Sequence, residues 1–433
     1  MKPLTYATVC SGIECMSVAC RGLPLRPVFF SEIEPFPCAV LKAHYPDVPN
    51  LGDMSKIEVK NNGLHITNGR DDVSLNERID ILAGGTPCFT AGTMVLTPKG
   101  YAPIETLKVG DEVVSGTGHV RKVEATGSKM AEAGRLKVLG RPEIVCTPNH
   151  PFFCVGMKRD NRRNAETYAQ KIPAGDYAAT RADEAVGKYV GRVNHRRMTA
   201  YSVAFPKCGN ATCDDIMELA GWYLGDGYIR RFKGKTKKCV VFALCCEKKI
   251  AMFNERFDGV INFCNTGKGK IAVCCTALAD WLVDNFGEHA AEKRIPFWCY
   301  DRENTYCLLR GYAATDGWLQ GHEQKFCTIS PALAYGIADL LGNASVYRQK
   351  VPPKGMIQGR EVNQQDYYQI KSTPKTFRTK YINGRYASIA RSYNGTTGLV
   401  RVYNITVAEE HDYIANGLWT HNCQDVSVAG KRA

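Results

Sequence analysis

Cys88 and Cys423 are the residues whose chemistry the sequence suggests first, because His421 and Asn422 directly precede the second cysteine. A thiolate is a strong nucleophile and a good leaving group, so Cys88 can attack the preceding carbonyl carbon and turn an amide into a thioester. Cys423 can then attack that thioester. The side-chain amide of Asn422 can close a five-membered ring on its own carbonyl while His421 protonates the departing amine. These groups predict removal of the segment between the cysteines and ligation of its flanks.

Four short motifs near the ends of residues 88–422 resemble the sequence blocks of inteins. They are Cys-Phe-Thr-Ala-Gly-Thr at 88–93, Thr-Pro-Asn-His at 147–150, Tyr-Asn-Ile-Thr-Val at 403–407 and Asn-Gly-Leu-Trp-Thr-His-Asn at 416–422. The resemblance implies a horseshoe-shaped, all-β Hint domain that brings the two ends together. It also implies a splicing reaction that excises residues 88–422 and joins the flanks without a cofactor.

The intein resemblance also assigns roles to single residues. Thr147 and His150 would polarise the amide before Cys88, and His421 would assist ring closure by Asn422. The catalytic candidates for splicing are Cys88, Thr147, His150, His411, His421, Asn422 and Cys423.

Two residues depart from the intein pattern. Asn404 stands where the family commonly has aspartate, and it cannot donate a carboxylic proton. Pro87 precedes the first scissile bond, and its restricted backbone geometry should make the first acyl shift harder. Both departures predict slow or conditional splicing.

Residues 219–227 and 309–317 form a repeated motif whose two copies end at Asp226-Gly and Asp316-Gly. They resemble the paired LAGLIDADG motifs of homing endonucleases, which implies two helices packed through small residues, each delivering one carboxylate to a scissile phosphate. Two carboxylates that bind Mg²⁺ suit phosphodiester hydrolysis, because the metal activates water and neutralises developing charge. By the same resemblance, Lys293 would polarise water or stabilise the transition state.

The flanks of the segment, residues 1–87 and 423–433, join to give Gly-Gly-Thr-Pro-Cys-Gln-Asp-Val. This string resembles the catalytic loop of DNA cytosine-5 methyltransferases, in which a cysteine thiolate adds to C6 of a flipped-out cytosine. Cys423 would therefore serve twice, although the joined flanks lack the later motifs of that family. We expect no DNA methylation by this chain alone. The candidates for binding S-adenosylmethionine are Ser11, Gly12, Glu32, Asp53 and Pro87, with Glu14 standing where the family usually has a second glycine.

The order of these patterns predicts a multidomain protein with two nested insertions. Apolar runs before residue 87 follow the rhythm of a βαβ parallel sheet, and short strands with Pro and Gly turns follow it. Residues 157–198 are basic and loop-rich. We expect an α/β Rossmann-like methyltransferase fragment, interrupted by an all-β Hint domain that is itself split by an α+β LAGLIDADG endonuclease domain. The predicted boundaries are 1–87, 88–200, 201–375, 376–422 and 423–433.

The net charge of +13 is concentrated in the segment, because residues 1–87 carry eight Lys/Arg against ten Asp/Glu. Such an excess favours double-stranded DNA as a partner. Nineteen cysteines without regular metal spacing, together with the absence of a signal peptide, indicate reduced thiols in the cytoplasm. No apolar run has the length of a membrane span. We expect a monomer that does not enter a membrane.

Two other interpretations stay open at the level of sequence. Residues 88–422 could be a DNA-recognition insertion in an intact methyltransferase, but an insertion between Pro87 and Cys423 would destroy the catalytic loop unless it were removed. The segment could also be a splicing-inactive relic that only binds DNA.

Overall fold

The computed structural model describes most of the chain. The described residues are 3–9, 11, 14–19, 21–32, 35–52, 57–60, 65–67, 74–84, 88–159, 171–193, 203–244, 246–301, 305–320, 323–357, 360–372, 379–395 and 398–422. Pro87, Cys423, Gly12 and Asp53, which the sequence singled out, lie outside these ranges.

The first part of the chain forms a small parallel sheet and an antiparallel one. Its elements are β1 (Leu4–Val9), α1 (Cys15–Ala19), β2 (Leu25–Phe29), α2 (Pro35–His44), β3 (Glu58–Lys60), β4 (His65–Thr67), β5 (Ser74–Leu75) and β6 (Ile81–Gly84). Strands β2, β1 and β6 pair in parallel in that order, and β3, β4 and β5 form the antiparallel sheet. Parallel pairing agrees with the βαβ rhythm of the apolar runs.

From Cys88 onward the chain turns to short antiparallel strands. These are β7 (Phe89–Thr90), β8 (Met94–Thr97), β9 (Gly100–Pro103), β10 (Glu112–Val114), β11 (Val120–Glu132), β12 (Gly134–Val138), β13 (Ile144–Cys146), β14 (Pro151–Arg159), β15 (Lys171–Arg181) and β16 (Tyr189–Gly191). The expectation of a loop-rich segment at 157–198 was wrong in part. Its basic residues interrupt the apolar pattern, yet β14 and β15 pair there as a long hairpin and β16 pairs with β14.

Residues 203–372 form a separate group of helices and sheets, here called the helical insert. The first half contains α3 (Cys213–Asp226), β17 (Gly227–Arg231), β18 (Lys238–Ala243), α4 (Glu247–Phe257), β19 (Cys264–Gly267), β20 (Lys270–Val273) and α5 (Thr276–Phe286). Helix α3 begins at a capping box, in which Thr212 and Asp215 satisfy each other's backbone N–H groups. The strands form a sheet of order β17-β18-β20-β19.

The second half of the helical insert repeats this arrangement. It contains α6 (Thr305–Asp316), β21 (Gly317–Gln320), β22 (Glu323–Thr328), α7 (Pro331–Leu340), β23 (Ser345–Gln349), β24 (Lys354–Ile357), β25 (Arg360–Asn363) and β26 (Tyr367–Ser372). Its main sheet has the order β21-β22-β26-β23, the same topology as in the first half. The helical insert is therefore an internal duplication.

The last strands return to the sheet that began at β7. They are β27 (Thr379–Ile382), β28 (Arg385–Asn394), β29 (Leu399–Val407), β30 (Asp412–Ala415) and β31 (Leu418–His421). With β7 to β16 they form a fifteen-stranded assembly among the described residues, here called the large-sheet domain. Strand β7 pairs with β13 and β29, whereas β31 pairs with β14 and β30. Its first and last strands are thus both built into its interior.

The helical insert packs directly on the large-sheet domain. Met94, Leu96 and Tyr101 of β8 and β9 share one buried apolar cluster with Ile295 and Leu333 of the insert. The Phe297 N–H group donates to the Pro98 carbonyl oxygen at 3.0 Å. The two domains therefore share a continuous core.

The composition led to expectations about membrane-spanning segments and about the redox state of the cysteines. Among the described residues, no helix combines the length and the apolar character that crossing a membrane requires. Cys239 on β18 and Cys274, which directly follows β20, form a disulfide. This pair departs from the expectation of reduced thiols.

Candidate functional site

Cys88 lies immediately before β7 and is buried, with 1% of its surface exposed. Its backbone N–H group donates to Thr147 Oγ1 at 3.0 Å, and the Thr147 N–H group donates to the Cys88 carbonyl oxygen at 3.0 Å. The first of these N–H groups belongs to the peptide bond between residues 87 and 88. The Thr147 hydroxyl therefore contacts the nitrogen of the amide that the sequence marks as scissile.

His150 occupies the end of the turn that Thr147 begins, and its ring is fully buried against Phe89, with ring centres 3.8 Å apart. Its Nε2 atom lies 2.6 Å from Thr420 Oγ1, and that hydroxyl donates to the Pro151 carbonyl oxygen at 2.8 Å. A hydroxyl carries one proton, so Nε2–H of the ring must be the donor to Thr420. The Nδ1 atom then carries the lone pair, and it has no hydrogen-bond partner among the described residues.

Electrostatics keep His150 neutral. Burial and, to a smaller extent, the nearby His421 together lower the pKa of His150 to about 3. At near-neutral pH the ring is thus an uncharged group with an available lone pair, which suits a proton acceptor.

Asn422 ends the described chain and is buried, with 2% of its surface exposed. Its backbone N–H group donates to the His411 carbonyl oxygen at 2.8 Å, and its Nδ2 atom donates to the Val407 carbonyl oxygen at 3.0 Å. The connection between β29 and β30 therefore holds the backbone of this residue, and the last residue of β29 holds its side chain.

His421 contacts the carbonyl group that ring closure would attack. Its Nδ1–H group donates to the Asn422 carbonyl oxygen at 2.8 Å. The sequence predicted a role for His421 in protonating the departing amine. This bond instead directs the His421 N–H group at the carbonyl oxygen, where negative charge would develop. Burial lowers the pKa of His421, with His411 acting in the same direction and the bond to Asn422 opposing it.

His411 contributes through its main chain as well as its ring. It has a φ of 53°, in the left-handed region, and its Nδ1–H group donates to the Val407 carbonyl oxygen at 3.2 Å. That carbonyl accepts bonds from the His411 ring and from Asn422 Nδ2. His411 thus shapes the surroundings of the asparagine side chain.

Sequence reasoning missed Thr420 and the pair Trp419–Asp412. Trp419 Nε1–H donates to Asp412 Oδ2 at 2.8 Å, and the ring stacks on Phe153 with centres 4.0 Å apart. Burial raises the pKa of Asp412 to about 6, with bonds from Gly116 and Trp419 opposing this shift. The Asn-Gly pair at 416–417 was the available signal, because it favours a two-residue hairpin turn that sets Asp412 opposite His421.

The structure brings six of the seven splicing candidates into one connected set. Thr147 holds Cys88, His150 follows Thr147 and binds the strand of His421, and Asn422 bonds to the His411 backbone. Cys423 lies outside the described residues. Asn404 is buried on β29. Its neighbour Tyr403 pairs with Phe89, the residue after Cys88, so Asn404 lies close to the start of the segment.

The repeated motifs form helices α3 and α6, which approach each other through glycines. A Cβ atom added at Gly221 would lie 2.1 Å from the Leu308 carbonyl oxygen, and one at Gly311 would lie 2.0 Å from the Glu218 carbonyl oxygen. Only glycine allows backbones this close. The helices end at Asp226 and Asp316, where partial burial and the Asp226 carboxylate raise the pKa of Asp316.

Two lysines surround this pair of aspartates. Lys249 Nζ lies 2.6 Å from Asp226 Oδ2. Lys293 is buried and donates to the carbonyl oxygens of Tyr223 and Gly227, the latter at 3.0 Å, at the C-terminal end of α3. Burial lowers the pKa of Lys293 to about 7, and Asp316 opposes the shift. These contacts give Lys293 a helix-capping role beside the carboxylates. Among the described residues, no group of three or more acidic, His or Cys side chains is arranged to hold a metal.

The flank places Ser11 and Glu32 after the neighbouring parallel strands β1 and β2. The Ser11 N–H group donates to the Ser31 carbonyl oxygen at 3.0 Å, which ties the two strand ends together. Glu14 has a φ of 65°, the conformation that favours glycine, and its buried carboxylate accepts bonds from Thr8 and Ser17. Glu14 itself thus has the backbone conformation that a glycine adopts most easily.

The comparisons with curated proteins cover parts of the chain. Over 88 residues it is 48% identical to a DNA N-6-adenine-methyltransferase of Escherichia phage P1, an alignment that covers 20% of this chain and 10% of that protein. Over 393 residues it is 23% identical to an iron-sulfur cluster assembly SufBD family protein of Mycobacterium tuberculosis, covering 78% of this chain and 43% of the relative. The chain therefore spans about a tenth of the length of the phage protein and less than half of the length of the mycobacterial protein.

Two solved structures and one family model are similar to a shorter stretch. The bacterial intein-like domain from Clostridium thermocellum is 27% identical, covering 22% of this chain and 78% of that chain, with a TM-score of 0.15. The gp41-1 intein is 22% identical, covering 22% of this chain and 84% of that chain, with a TM-score of 0.16. Residues 87–150, which include Cys88, Thr147 and His150, match the Hint domain family model. Residues 87–150 are thus similar to the Hint domain family.

Proposed function

We propose that the protein splices itself, excising residues 88–422 and joining Pro87 to Cys423. The observation that carries this proposal is the bond between His150 and Thr420. It connects the turn that holds the Cys88 amide nitrogen to the strand that directly precedes Asn422. Residues from opposite ends of the segment thus share one buried site.

In the first half of the reaction the acyl group moves twice. The Cys88 thiolate attacks the Pro87 carbonyl carbon, the C–N bond breaks, and the nitrogen leaves as the protonated amine of Cys88. Thr147 holds that nitrogen, and neutral His150 takes the proton of the Cys88 thiol and passes it to the departing nitrogen. The Cys423 thiolate then attacks the new thioester, so that residues 1–87 move to its sulfur and the Cys88 thiolate departs.

In the second half the segment is released. Asn422 Nδ2 attacks the Asn422 carbonyl carbon and loses one proton, the peptide bond to Cys423 breaks, and the freed amine of Cys423 takes up that proton. His421 Nδ1–H stabilises the charge on the carbonyl oxygen during this attack. The Cys423 amine finally attacks its own thioester, which exchanges the C–S bond for an amide.

Mass spectrometry of the expressed chain tests splicing. We expect two products, the excised 88–422 segment and the ligated flanks, and a single full-length product from the Cys88→Ala/Asn422→Ala variant. An intact chain under reducing, near-neutral conditions would support the relic, or a methyltransferase with a DNA-recognition insertion.

A second proposed activity is site-specific cleavage of double-stranded DNA by the helical insert. It is supported by the duplicated halves, the glycine contacts of α3 with α6, and the aspartates at the ends of both helices. Asp226 and Asp316 would hold Mg²⁺, which would activate water, after Lys249 moves away from Asp226. Incubation with Mg²⁺ and DNA carrying the uninterrupted coding sequence should give one double-strand cut, which Asp226→Asn abolishes. A cut that survives this substitution rejects the assignment.

The flanks are proposed to belong to a DNA methyltransferase that uses S-adenosylmethionine as methyl donor. Ser11 and Glu32 fit this cofactor, because they lie at the carboxyl ends of adjacent parallel strands. The relative from phage P1 is described as an adenine enzyme. The rejoined Pro-Cys-Gln loop favours cytosine C5 for the flanks of this chain. A methylation assay of a longer host protein on cytosine and adenine substrates decides between the two bases.

A further inference from the structure

We propose that Asp339, on helix α7 of the helical insert, is a positioning residue for the C-terminal splice site. The inference rests on the proposed splicing function. It makes the helical insert a working part of the splicing reaction, in addition to any action on DNA.

Asp339 forms a buried ionic cluster with two arginines of the large-sheet domain. Its Oδ1 atom lies 3.6 Å from Arg141 Nη2 and 3.7 Å from Arg192 Nη2, and all three side chains are at most 2% exposed. Tyr101 of β9 donates its hydroxyl proton to Asp339 Oδ2. Both guanidinium groups also donate to the Ala344 carbonyl oxygen of the insert. Buried charges of opposite sign depend on each other, because neither can be solvated alone.

The cluster lies against the turn that precedes β31. A Cβ atom added at Gly417 would lie 3.2 Å from Arg141 Nε and 3.4 Å from Asp339 Oδ1. Asn416 and Gly417 have φ angles of 49° and 74°, and the Asn416 side chain accepts a bond from the Met94 N–H group at 2.8 Å. The Arg141–Asp339 pair therefore forms the surface on which the β30–β31 hairpin turn is seated.

A second chain of contacts leads from the cluster to β31 itself. The Arg192 carbonyl oxygen accepts a bond from Arg385 Nη1 at 3.2 Å. The Arg385 guanidinium carbon lies 3.6 Å from the centre of the Trp419 ring, a cation–π contact. Trp419 in turn donates to Asp412 on β30. The hairpin that delivers His421 and Asn422 is thus supported at its turn and along its last strand.

The N-terminal splice site is less dependent on this cluster. Its contact with β31 runs through Thr420, and the start of β14 also holds that residue, because the Thr420 hydroxyl donates to the Pro151 carbonyl oxygen at 2.8 Å. The described bonds between Cys88 and Thr147 join the start of β7 to the end of β13, within the large-sheet domain. Loss of the Asp339 charge should therefore disturb ring closure by Asn422 more than thioester formation at Cys88. This selectivity separates positioning from a general loss of stability.

The test introduces Asp339→Asn into two versions of the full chain. Cys88→Ala blocks the first acyl shift, so release of residues 423–433 reports ring closure alone. Asn422→Ala blocks ring closure, so release of residues 1–87 by dithiothreitol reports the thioester alone. We expect the first rate to fall about tenfold or more, as a small misplacement of reacting atoms does, and the second to stay within about twofold.

A matched control is Glu218→Gln. Glu218 is also buried and pairs with Arg256 and Arg310, all three inside the helical insert. This variant removes a buried carboxylate charge elsewhere in the helical insert without touching the Asp339 cluster, and both rates should stay within about twofold of the parent. If Asp339→Asn leaves both rates unchanged, lowers both equally, or behaves like Glu218→Gln, the positioning role is overturned.

Hydrogen exchange on the Cys88→Ala/Asn422→Ala chain separates this inference from the proposed function. With Asp339→Asn, amide protection in residues 412–422 should fall about tenfold, while protection in β13 is unchanged. Parent chains that release neither flank contradict splicing. Even in that case the exchange experiment tests whether Asp339 holds the β30–β31 hairpin, because unchanged protection in residues 412–422 would overturn this role.

Discussion

The Nε2 atom of His150 lies 2.6 Å from the hydroxyl of Thr420, a residue 270 positions later in the chain. Because the Thr420 hydroxyl donates its proton to Pro151, the C-terminal strand determines which nitrogen of His150 carries hydrogen. The tautomer of a ring that packs on Phe89, the residue after Cys88, is therefore set by a residue close to the second splice site. This contact offers a physical reason for the two halves of the proposed reaction to depend on each other.

Replacing Thr420 with valine tests this dependence. Thr420→Val keeps the side-chain volume but removes the acceptor for Nε2–H, which leaves a buried donor unsatisfied or shifts the tautomer. Loss of this hydrogen bond should cost about 1–3 kcal/mol in the stabilisation of the reactive His150 tautomer. Thiol-induced release of residues 1–87 should therefore slow about tenfold or more in the Asn422→Ala chain. Thr420→Ser retains the hydroxyl and should stay close to the parent rate. Equal rates for the two variants would show that the hydroxyl has no part in the first step.

His421 should act in its neutral form. Its Nδ1–H group already donates to the Asn422 carbonyl, and burial lowers its pKa from 6.5. Release of residues 423–433 from the Cys88→Ala chain should therefore be nearly independent of pH between 8 and 6.5. His421→Ala should slow it about a hundredfold. A rate that rises steeply on acidification within this range would assign catalysis to the protonated ring.

The residues of the two proposed splice sites could be selected from sequence because most of them are neighbours in the chain. Cys88, Asn422 and His421 are adjacent to the bonds they would break, and Thr147 and His150 share one turn. The two helices α3 and α6 were likewise predictable, since the same glycine and aspartate spacing occurs twice.

Contacts between distant elements could not be predicted in this way. The Thr420–His150 bond depends on the register of β31 against β14, where Thr420 lies opposite Phe152. The Arg141–Asp339 pair joins two domains whose interface has no periodic signal. The role of Lys293 was assigned from its place before the second motif, but its direction, toward the end of α3, is set by tertiary packing.

The buried site should give stability an unusual dependence on pH. The pKa of His150 is lowered to about 3 in the folded chain, against 6.5 when unfolded. Between these values the unfolded chain binds the extra proton, so the free energy of unfolding falls as the pH falls, by about 1.4 kcal/mol per unit. Asp412 acts in the opposite sense, because its pKa is raised to about 6 from 3.8 and the folded chain binds the extra proton between them.

Between about pH 4 and 6, His150 and Asp412 make opposite contributions to the pH dependence of the free energy of unfolding. Removing the Asp412 carboxyl group should therefore expose the contribution of His150. In the Asp412→Asn variant of the unspliced Cys88→Ala/Asn422→Ala chain, acidification from pH 6 to 4 should lower the free energy of unfolding more steeply than in the parent, by about 1.4 kcal/mol per unit. Urea unfolding at several pH values measures the slope. The added substitution His150→Gln should flatten it again, and a slope that persists would place the titrating group elsewhere.

The close approach of α3 and α6 should make Gly221 intolerant of any side chain. In Gly221→Ala the new methyl group would lie 2.1 Å from the Leu308 carbonyl oxygen and 2.6 Å from the Tyr312 nitrogen, both backbone atoms that cannot move without separating the helices. We expect a loss of about 2 kcal/mol or more in urea unfolding of the Cys88→Ala/Asn422→Ala chain.

A matched control for this substitution is Gly395→Ala, where an added Cβ atom meets nothing within 4 Å. That variant should change the free energy of unfolding by less than about 0.5 kcal/mol.

Separation of α3 from α6 in Gly221→Ala would also move Asp226 away from Asp316, because each aspartate is the last residue of its helix. Gly221→Ala should therefore also abolish the proposed DNA cleavage, and unfolding that matches the Gly395→Ala control would mean that the helices do not meet at this glycine.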